Sequence, residues 1–209
     1  MNDTEAARLY AGASEMGVTL QPAQVQALLR LLDELSRWSQ TYNLTAIHAR
    51  EEMLTHHLLD SLSIAPYLRG QRCLDVGTGA GFPGLPLAIA QPERQFVLLD
   101  SNGKKIRFVA HMVRSLGLQQ VSAVHARAED YRTDGVDCVL ARAFAPLTEL
   151  ISRVEALCGP ETRVLAMKGR RSTESAAELP AGWSVEADHD LHVPGLQESR
   201  HLLVLRPPH

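Results

Sequence analysis

From Arg72 onward, short apolar runs alternate with segments of helical periodicity. The runs CLDV, QFVLLD, VSAVHA, DCVLARA and RVLAMKG contain no polar alternation, a pattern typical of strands buried on both faces. Between two of these runs, Ser101 to Leu116 repeats apolar residues every three or four positions, as an amphipathic helix does. Strands that alternate with helices predict an α/β fold with a doubly wound, mostly parallel sheet.

The two ends of the sequence depart from this alternation. Apolar residues recur at helical spacing after Pro22, and a second helical stretch begins near Arg50 and ends before Pro66. We therefore predict an N-terminal helical segment over residues 1–67, packed on the core, and a main domain over residues 68–209. At the other end, WSVEADHDLHV, PGLQES and RHLLVLRP predict two strands joined by a turn, so we expect the sheet to finish with an antiparallel hairpin.

Composition and charge limit the classes of protein to which the chain can belong. Its 209 residues suffice for one sizeable domain and an accessory segment. There is no long uncharged apolar run and no signal-like start, so we expect a soluble, cytoplasmic monomer without a membrane partner. Cys73, Cys138 and Cys158 lie in apolar stretches without CxxC spacing, so we expect buried thiols and no metal. With a net charge of −3, any contact with RNA has to be local.

The sequence LDVGTGAGFPG joins a predicted strand to a predicted helix and concentrates glycines at the turn. Glycine lets the backbone approach a ligand closely, and the following helix offers its N-terminal amides. We therefore predict a ligand-binding loop whose binding residues are Gly77, Thr78, Gly79, Gly81 and Phe82. For the last of these, the aromatic ring is expected to form a wall of the ligand site, with base stacking or helix stapling as alternatives.

Two cofactors are compatible with this loop. The segment Gly79–Gly84 also satisfies the GxGxxG fingerprint of dinucleotide-binding proteins, and Asp100 follows as the acidic residue. Asp75, however, precedes the first glycine by two residues. A carboxylate there would repel a pyrophosphate but attract the ammonium or sulfonium of S-adenosylmethionine. The pattern therefore favours S-adenosylmethionine over NAD.

Two further positions fit that cofactor. Asp100 ends the second predicted strand, where its carboxylate can accept hydrogen bonds from both ribose hydroxyls. Ala128 and Glu129 follow the third predicted strand, where they can contact adenine. The carboxyl ends of parallel strands open onto one crevice. Asp75, Asp100 and Glu129 are therefore expected to contact the methionine end, the ribose and the adenine in turn.

Seven segments, spread over nearly the whole sequence, resemble one known family, the glucose-inhibited division protein B family, also called RsmG. The segments are YNLTAI at Tyr42–Ile47, HHLLDSL at His56–Leu62, LDVGTGAGFPGLPLAI at Leu74–Ile89, LLDSNGKKIRF at Leu98–Phe108, LARAFAPL at Leu140–Leu147, MKG at Met167–Gly169 and ESRHLLVL at Glu198–Leu205. Members of this family methylate N7 of a guanine in 16S ribosomal RNA. The resemblance implies the Rossmann-like fold of class I S-adenosylmethionine-dependent methyltransferases, the same reaction, and a catalytic place for Arg142 beside the cofactor.

The residues after the fourth predicted strand agree with that acceptor. Methylation of exocyclic amines typically uses an Asn/Asp-Pro-Pro-aromatic loop there, whereas this sequence has ARAF at Ala141–Phe144. No cysteine is placed as the nucleophile that pyrimidine C5 methylation requires. Guanine N7 is an unprotonated lone pair, so its methylation needs no general base. We therefore expect Arg142 to act by positioning, through its grip on the cofactor carboxylate or on an RNA phosphate.

Four basic residues are candidates for contact with RNA phosphates. Lys168 ends the fifth predicted strand, Arg170 and Arg171 follow it, and Arg200 opens the last strand. The expected partner is 16S ribosomal RNA or the small ribosomal subunit. Two alternatives stay open: a small-molecule methyltransferase, which the negative net charge favours, and a non-catalytic protein that binds S-adenosylmethionine and RNA.

Overall fold

A seven-stranded sheet in the order β3-β2-β1-β4-β5-β7-β6 forms the centre of the fold in the computed structural model, which describes residues 3–143, 146–169 and 179–208. The first five strands along the chain pair in parallel, and β7 runs antiparallel to both β5 and β6. The strands are β1 (Arg72–Val76), β2 (Gln95–Asp100), β3 (Val121–His125), β4 (Cys138–Arg142), β5 (Arg163–Lys168), β6 (Ser184–Leu191) and β7 (Arg200–Arg206). The predicted mostly parallel, doubly wound sheet and its antiparallel hairpin are confirmed.

Helices precede the sheet and connect its strands. They are α1 (Asp3–Glu15), α2 (Pro22–Tyr42), α3 (Arg50–Met53), α4 (Asp60–Leu62), α5 (Gly84–Ala90), α6 (Gly103–Leu116) and α7 (Leu147–Val154). Pro22 opens α2, and the Asn102 side chain accepts hydrogen bonds from the first amides of α6, so local sequence sets both starts. A π-helical stretch, Leu54–Leu59, joins α3 to α4 into one continuous run.

Alternation along the strands divides the core into two layers. Cys73 packs with α1, α2, α5 and α6 on one face of the sheet, while its neighbour Leu74 packs with α7 on the other. Because side chains alternate between the faces of a strand, Asp75, Asp100 and Arg142 all belong to the face that carries the N-terminal helices. Of these residues, Arg142 contacts the helical segment, through the His56 carbonyl and the Asp60 carboxylate.

Strand β3 is less buried than the sequence predicts. The VSAVHA run was expected to be covered on both faces, but β3 lies at an edge of the sheet, and only Val121 of its five residues is buried. An edge strand pairs on one side only, so its periphery stays open to solvent. Within the described residues, no helix is long and apolar enough to cross a membrane.

The N-terminal helices and the strand-connecting helices share one hydrophobic core. The Trp38 ring of α2 packs edge-on against Phe108 of α6 with 5.6 Å between ring centroids. The Gln24 amide of α2 donates to the carbonyls of Ile89 and Ala90 at 2.8 and 3.1 Å. The division of the chain at residue 68 stays a prediction, since neither contact defines a boundary.

Phe108→Ala tests this shared core. The Phe108 ring is fully buried, so its removal should lower the free energy of unfolding by about 3–5 kcal/mol. Chemical denaturation followed by tryptophan fluorescence and by circular dichroism measures the loss, and the two transitions should coincide. The control is the exposed neighbour Arg107→Ala, which should change the free energy by less than about 0.5 kcal/mol. In a Trp183→Phe background, where Trp38 alone reports, a fluorescence transition that precedes loss of the sheet would contradict a shared core.

Candidate active site

A buried carboxylate shapes the glycine loop. The Asp75 side chain is 0% exposed, and its Oδ2 accepts a hydrogen bond from the Thr78 hydroxyl at 2.6 Å and one from the Gly84 amide at 2.8 Å. Any side chain at Gly84 would collide with this arrangement, because a Cβ there would lie 2.7 Å from Asp75 Oδ2. Asp75 therefore ties the end of β1 to the start of α5 across the loop.

Asp75 and Thr78 were expected to contact a ligand, and that expectation stays a prediction. Both side chains are covered by protein and do not line the cavity described below. Asp75 instead holds the loop in shape. Burial raises the pKa of the Asp75 carboxyl to about 6, against the opposing effect of the hydrogen bonds from Thr78 and Gly84.

The other predicted acid reaches the loop from β2. The Asp100 carboxylate accepts a hydrogen bond from the Gly79 amide at 2.8 Å through Oδ2 and one from the Asn102 amide at 2.7 Å through Oδ1. Gly77, Gly79 and Gly81 have φ angles of 67°, 61° and 91°, a region that favours glycine. The loop thus presents its backbone beside a carboxylate.

A first cavity of about 340 Å³ lies at the carboxyl ends of β1, β2 and β4, within the size range of small-ligand sites. Its walls contain five of the predicted residues: Gly77, Asp100, Ala128, Glu129 and Arg142. The carboxylate of Glu129 lies 3.7 Å from the Arg127 guanidinium, which also lines the cavity. The structure therefore brings together the strand-end positions that the sequence singled out, apart from Asp75.

A second cavity of about 450 Å³ lies beside the first. The N-terminal helical segment supplies one wall, and Lys168 and Arg200 of the sheet supply another. Arg142 and Ala143 line both cavities, so the two spaces meet at the end of β4. Two of the four predicted RNA-contacting residues thus lie together, whereas Arg170 and Arg171 lie outside the described residues.

Arg142 is held from the helical segment. Its Nη1 donates to the His56 carbonyl at 3.1 Å and lies 3.3 Å from Asp60 Oδ2. The other Asp60 oxygen accepts a hydrogen bond from Arg200 Nε at 2.9 Å. One buried carboxylate therefore joins the two arginines that line the second cavity.

Phe82 lies beneath these groups and not in a cavity wall. Its ring is 3% exposed, stacks on the His57 ring at 4.7 Å and lies 5.7 Å from the Arg142 guanidinium carbon. That Phe82 forms a wall of the ligand site or receives a base stays a prediction. Burial, together with the nearby Arg142 charge, lowers the pKa of His57 to about 3, and the His57 Nε2 pairs with the Thr45 hydroxyl at 2.9 Å. The stack supports Arg142 from below.

Several residues of this site were missed from the sequence. Asp60 and His57 belong to a helical run that was interpreted as packing, although a carboxylate between leucines in LLDSL is an available signal of a buried charge partner. The π-helical stretch that carries His57 has no sequence signature, yet such stretches are frequent at functional sites. Ala143 has a φ of 62°, a strained conformation for a non-glycine residue, at the junction of the cavities.

The cysteines lie away from both cavities. Cys73 and Cys138 are partners in the register of β1 and β4 and are buried, as predicted, while Cys158 is half-buried. In the part of the chain that the structure describes, no three His, Cys, Asp or Glu side chains are grouped in a way that would hold a metal ion.

Comparison with known proteins supplies the family. The model of the family described as rRNA small subunit methyltransferase G matches residues 24–203. The ribosomal RNA small subunit methyltransferase G of Methylococcus capsulatus is 51% identical over 200 residues, which cover 95% of this chain and 97% of that protein. The protein of the same name from Pseudomonas aeruginosa is 48% identical over 200 residues, with 95% and 94% covered.

Solved structures with much lower sequence identity share the fold. A putative methyltransferase of Haloferax volcanii, in complex with its Trm112 activator, has a TM-score of 0.61 at 14% identity, and the match covers 83% of this chain and 97% of that one. A SAM-dependent methyltransferase from Aquifex aeolicus has a TM-score of 0.56 at 15% identity, with 76% and 94% covered. At such identities the likeness concerns the fold alone.

Asp75→Asn tests the role of the buried carboxylate. An amide oxygen in place of Oδ2 can accept both hydrogen bonds, and the variant carries no buried charge. The folded-state pKa of about 6 exceeds the ordinary 3.8, so the wild type is stabilised by protonation below about pH 4 and loses that stabilisation as the pH rises through 6.

Between pH 4 and 7, the free energy of unfolding should therefore fall in the wild type relative to the variant by up to about 3 kcal/mol, since each tenfold change in proton affinity is worth about 1.4 kcal/mol. Urea denaturation of both proteins across this range measures the difference. A difference that does not change with pH would contradict a raised pKa.

Proposed function

We propose, on the premise that this chain belongs to the rRNA small subunit methyltransferase G family, that it transfers a methyl group from S-adenosylmethionine to N7 of a guanine in 16S ribosomal RNA. The observation that carries this proposal is the junction of two cavities at Arg142 and Ala143. A methyl donor in the first cavity and an acceptor base in the second would meet there.

The first cavity fits S-adenosylmethionine better than a dinucleotide, for a reason that differs from the one drawn from the sequence. Asp75 is buried, and its Oδ2 already accepts hydrogen bonds from Thr78 and Gly84. Asp100, however, accepts the Gly79 amide at 2.8 Å, so the loop amide that would bind a pyrophosphate is already engaged and a negative charge lies beside it. A phosphate would be repelled at this place, whereas a cationic cofactor without phosphate would not.

The remaining predicted contacts follow from the walls of this cavity. Each Asp100 oxygen accepts one backbone hydrogen bond and keeps a lone pair with which it can accept a ribose hydroxyl. Ala128 and Glu129 begin a 3₁₀ turn after β3 and line the far wall, where adenine would lie. The backbone of Gly77, Gly79 and Gly81 would approach the methionine end, with Asp75 and Thr78 acting through the loop shape.

The chemistry asks little of the protein beyond geometry. The bound cofactor supplies an electrophilic methyl group, and guanine N7 supplies a lone pair, so no protein group has to remove a proton. Arg142 would bind the cofactor carboxylate or an RNA phosphate and thereby keep donor and acceptor in line. His57 stays neutral near pH 7, because its pKa is about 3, and therefore adds no second charge beside Arg142.

Lys168 and Arg200 at the rim of the second cavity support an RNA acceptor. Phosphates are the natural partners of such cations at the edge of a base-binding space. We extend the proposal to Arg170 and Arg171, which follow Lys168 in the sequence. The partner would be 16S ribosomal RNA or the small ribosomal subunit, and the protein would act as a cytoplasmic monomer.

Asp100→Ala tests the cofactor site. Loss of the carboxylate should weaken binding of S-adenosylmethionine by roughly 1.5–3 kcal/mol, the scale of hydrogen bonds to a charged group. Isothermal titration calorimetry measures this change. The control is Asp130→Ala, an exposed residue of the same neighbourhood that does not line the cavity and should bind as the wild type does. If both variants bind S-adenosylmethionine with the affinity of the wild type, the cofactor has to bind elsewhere.

Single-turnover methylation tests the reaction itself. Purified protein, labelled S-adenosylmethionine and small subunits that lack the modification should yield 7-methylguanosine, identified by mass spectrometry. At saturation, the rate should be flat between roughly pH 6 and 9, because no base takes part. Arg142→Lys should lower this rate by roughly ten- to hundredfold without unfolding the protein, since lysine keeps the charge but not the planar fork.

Two results would contradict the proposal. Label that enters a metabolite extract and not ribosomal RNA would indicate a small-molecule methyltransferase. A rate that rises tenfold per pH unit would indicate an acceptor that has to lose a proton.

A further inference from the structure

Asp60 connects parts of the site that are far apart in the sheet. It opens α4 directly after the π-helical stretch, and its side chain is only 5% exposed. Its two oxygens pair with Arg142 at 3.3 Å and with Arg200 at 2.9 Å. Arg142 ends β4 and Arg200 begins β7, and β5 lies between these strands. The Asp60 carboxylate, which belongs to the helical segment, thus bridges two strands that lie on either side of β5.

We propose that Asp60 is a positioning residue for methyl transfer. Its carboxylate fixes the Arg142 guanidinium at the junction of the cavities and holds Arg200 at the rim of the second cavity. This inference rests on the proposed function, because it assigns Asp60 a part in the same reaction. It also gives the N-terminal helical segment a role in the active site besides packing.

Charge is the first argument. Arg142 and Arg200 both line the second cavity, so without an anion between them two guanidinium groups would repel each other in a confined space. Asp60 removes this repulsion with one carboxylate and leaves the pair of arginines with a net positive charge. Removal of one partner from such a buried group leaves an uncompensated charge, which is costly.

Geometry is the second argument. Apart from Asp60, the contacts of Arg142 within the described residues are a hydrogen bond to the His56 carbonyl at 3.1 Å and the Phe82 ring at 5.7 Å. One hydrogen bond and a ring contact leave a long side chain free to rotate about its end, whereas a second acceptor fixes the plane of the guanidinium. The orientation of Arg142 at the junction therefore depends on Asp60.

A purely structural bridge would not need to lie in a cavity wall. Asp60 lines the second cavity together with both of its partners. Its oxygens are nevertheless engaged by the arginines, so we assign it to positioning and not to contact with the acceptor base.

Asp60→Asn is the sharpest variant, because asparagine has the same shape but no charge, and its amide nitrogen cannot accept a hydrogen bond from an arginine. The single-turnover rate with saturating S-adenosylmethionine and small subunits should fall by roughly ten- to hundredfold, as expected when a positioning group is misplaced. The dissociation constant of S-adenosylmethionine, from calorimetry, should stay within about threefold of the wild type. Through Arg200, the RNA concentration that gives half the maximal rate should rise.

Thr162→Val is the matched control for lost stability. Thr162 is 1% exposed and its hydroxyl donates to the Val136 carbonyl at 2.6 Å, at the opposite end of the sheet from the cavities. This variant also loses a buried polar contact, so its melting temperature should fall, but its single-turnover rate should stay within about twofold of the wild type. An equal loss of rate in both variants would mean that reduced stability explains the Asp60 effect and would overturn the proposal.

A double-mutant cycle tests whether Asp60 acts through Arg142. The rate of Asp60→Asn combined with Arg142→Gln should lie within about threefold of Arg142→Gln alone, because residues that act as a unit are not additive. Losses that multiply would mean that Asp60 acts independently of Arg142 and would overturn the inference. An unchanged rate in Asp60→Asn would also overturn the inference. The proposed function would still stand in that case, because the wild-type protein is active. Failure of the wild-type protein to methylate ribosomal RNA would instead contradict the proposed function.

Discussion

The hydrogen bonds to the buried Asp75 carboxylate are the constraint on which the site depends. One oxygen binds the hydroxyl of Thr78 and the amide of Gly84, so the chain has to turn sharply between β1 and α5. This bend directs the backbone of the loop towards the open end of the sheet and brings the Gly79 amide to Asp100. Gly77 of this loop and Asp100 both line the first cavity. The energetic cost is visible in the raised pKa of Asp75, since burial of a carboxylate opposes its ionisation.

The N-terminal helices complete the site that the sheet begins. The strand ends supply Arg142 and Arg200, but the groups that orient them, the His56 carbonyl and the Asp60 carboxylate, come from the helical run above the sheet. The π-helical stretch places His57 against Phe82 just before Asp60. Packing and positioning are thus combined in one element, whose leucines belong to the shared hydrophobic core.

Most of the fold was predictable because its signals are local. Apolar runs of strand length, helical periodicity and a glycine cluster predicted the sheet, its hairpin and the loop, and strand-end positions such as Asp100 and Glu129 followed from the rule for parallel sheets. The directions of side chains were not predictable in this way. Asp75 turns under the loop, although its neighbour Val76 lines the first cavity, and Phe82 packs inside. Asp60 pairs with residues 82 and 140 positions away, which no local pattern encodes. The exposure of β3 depends on strand order, which periodicity does not define.

The strand order has a consequence for the assembly of the protein during synthesis. Strand β7 is made after β6 but lies between β5 and β6, so the nascent chain cannot build the sheet by adding strands in sequence at one edge. The outer edge of β5 therefore stays unpaired until β7 has been synthesised. Contacts of high sequence separation form slowly. Arg200 belongs to β7, so the walls of the first cavity can form while the second cavity still lacks one of its walls. Under the proposed function, each newly made molecule is therefore expected to become able to bind the methyl donor before it becomes able to accept a base.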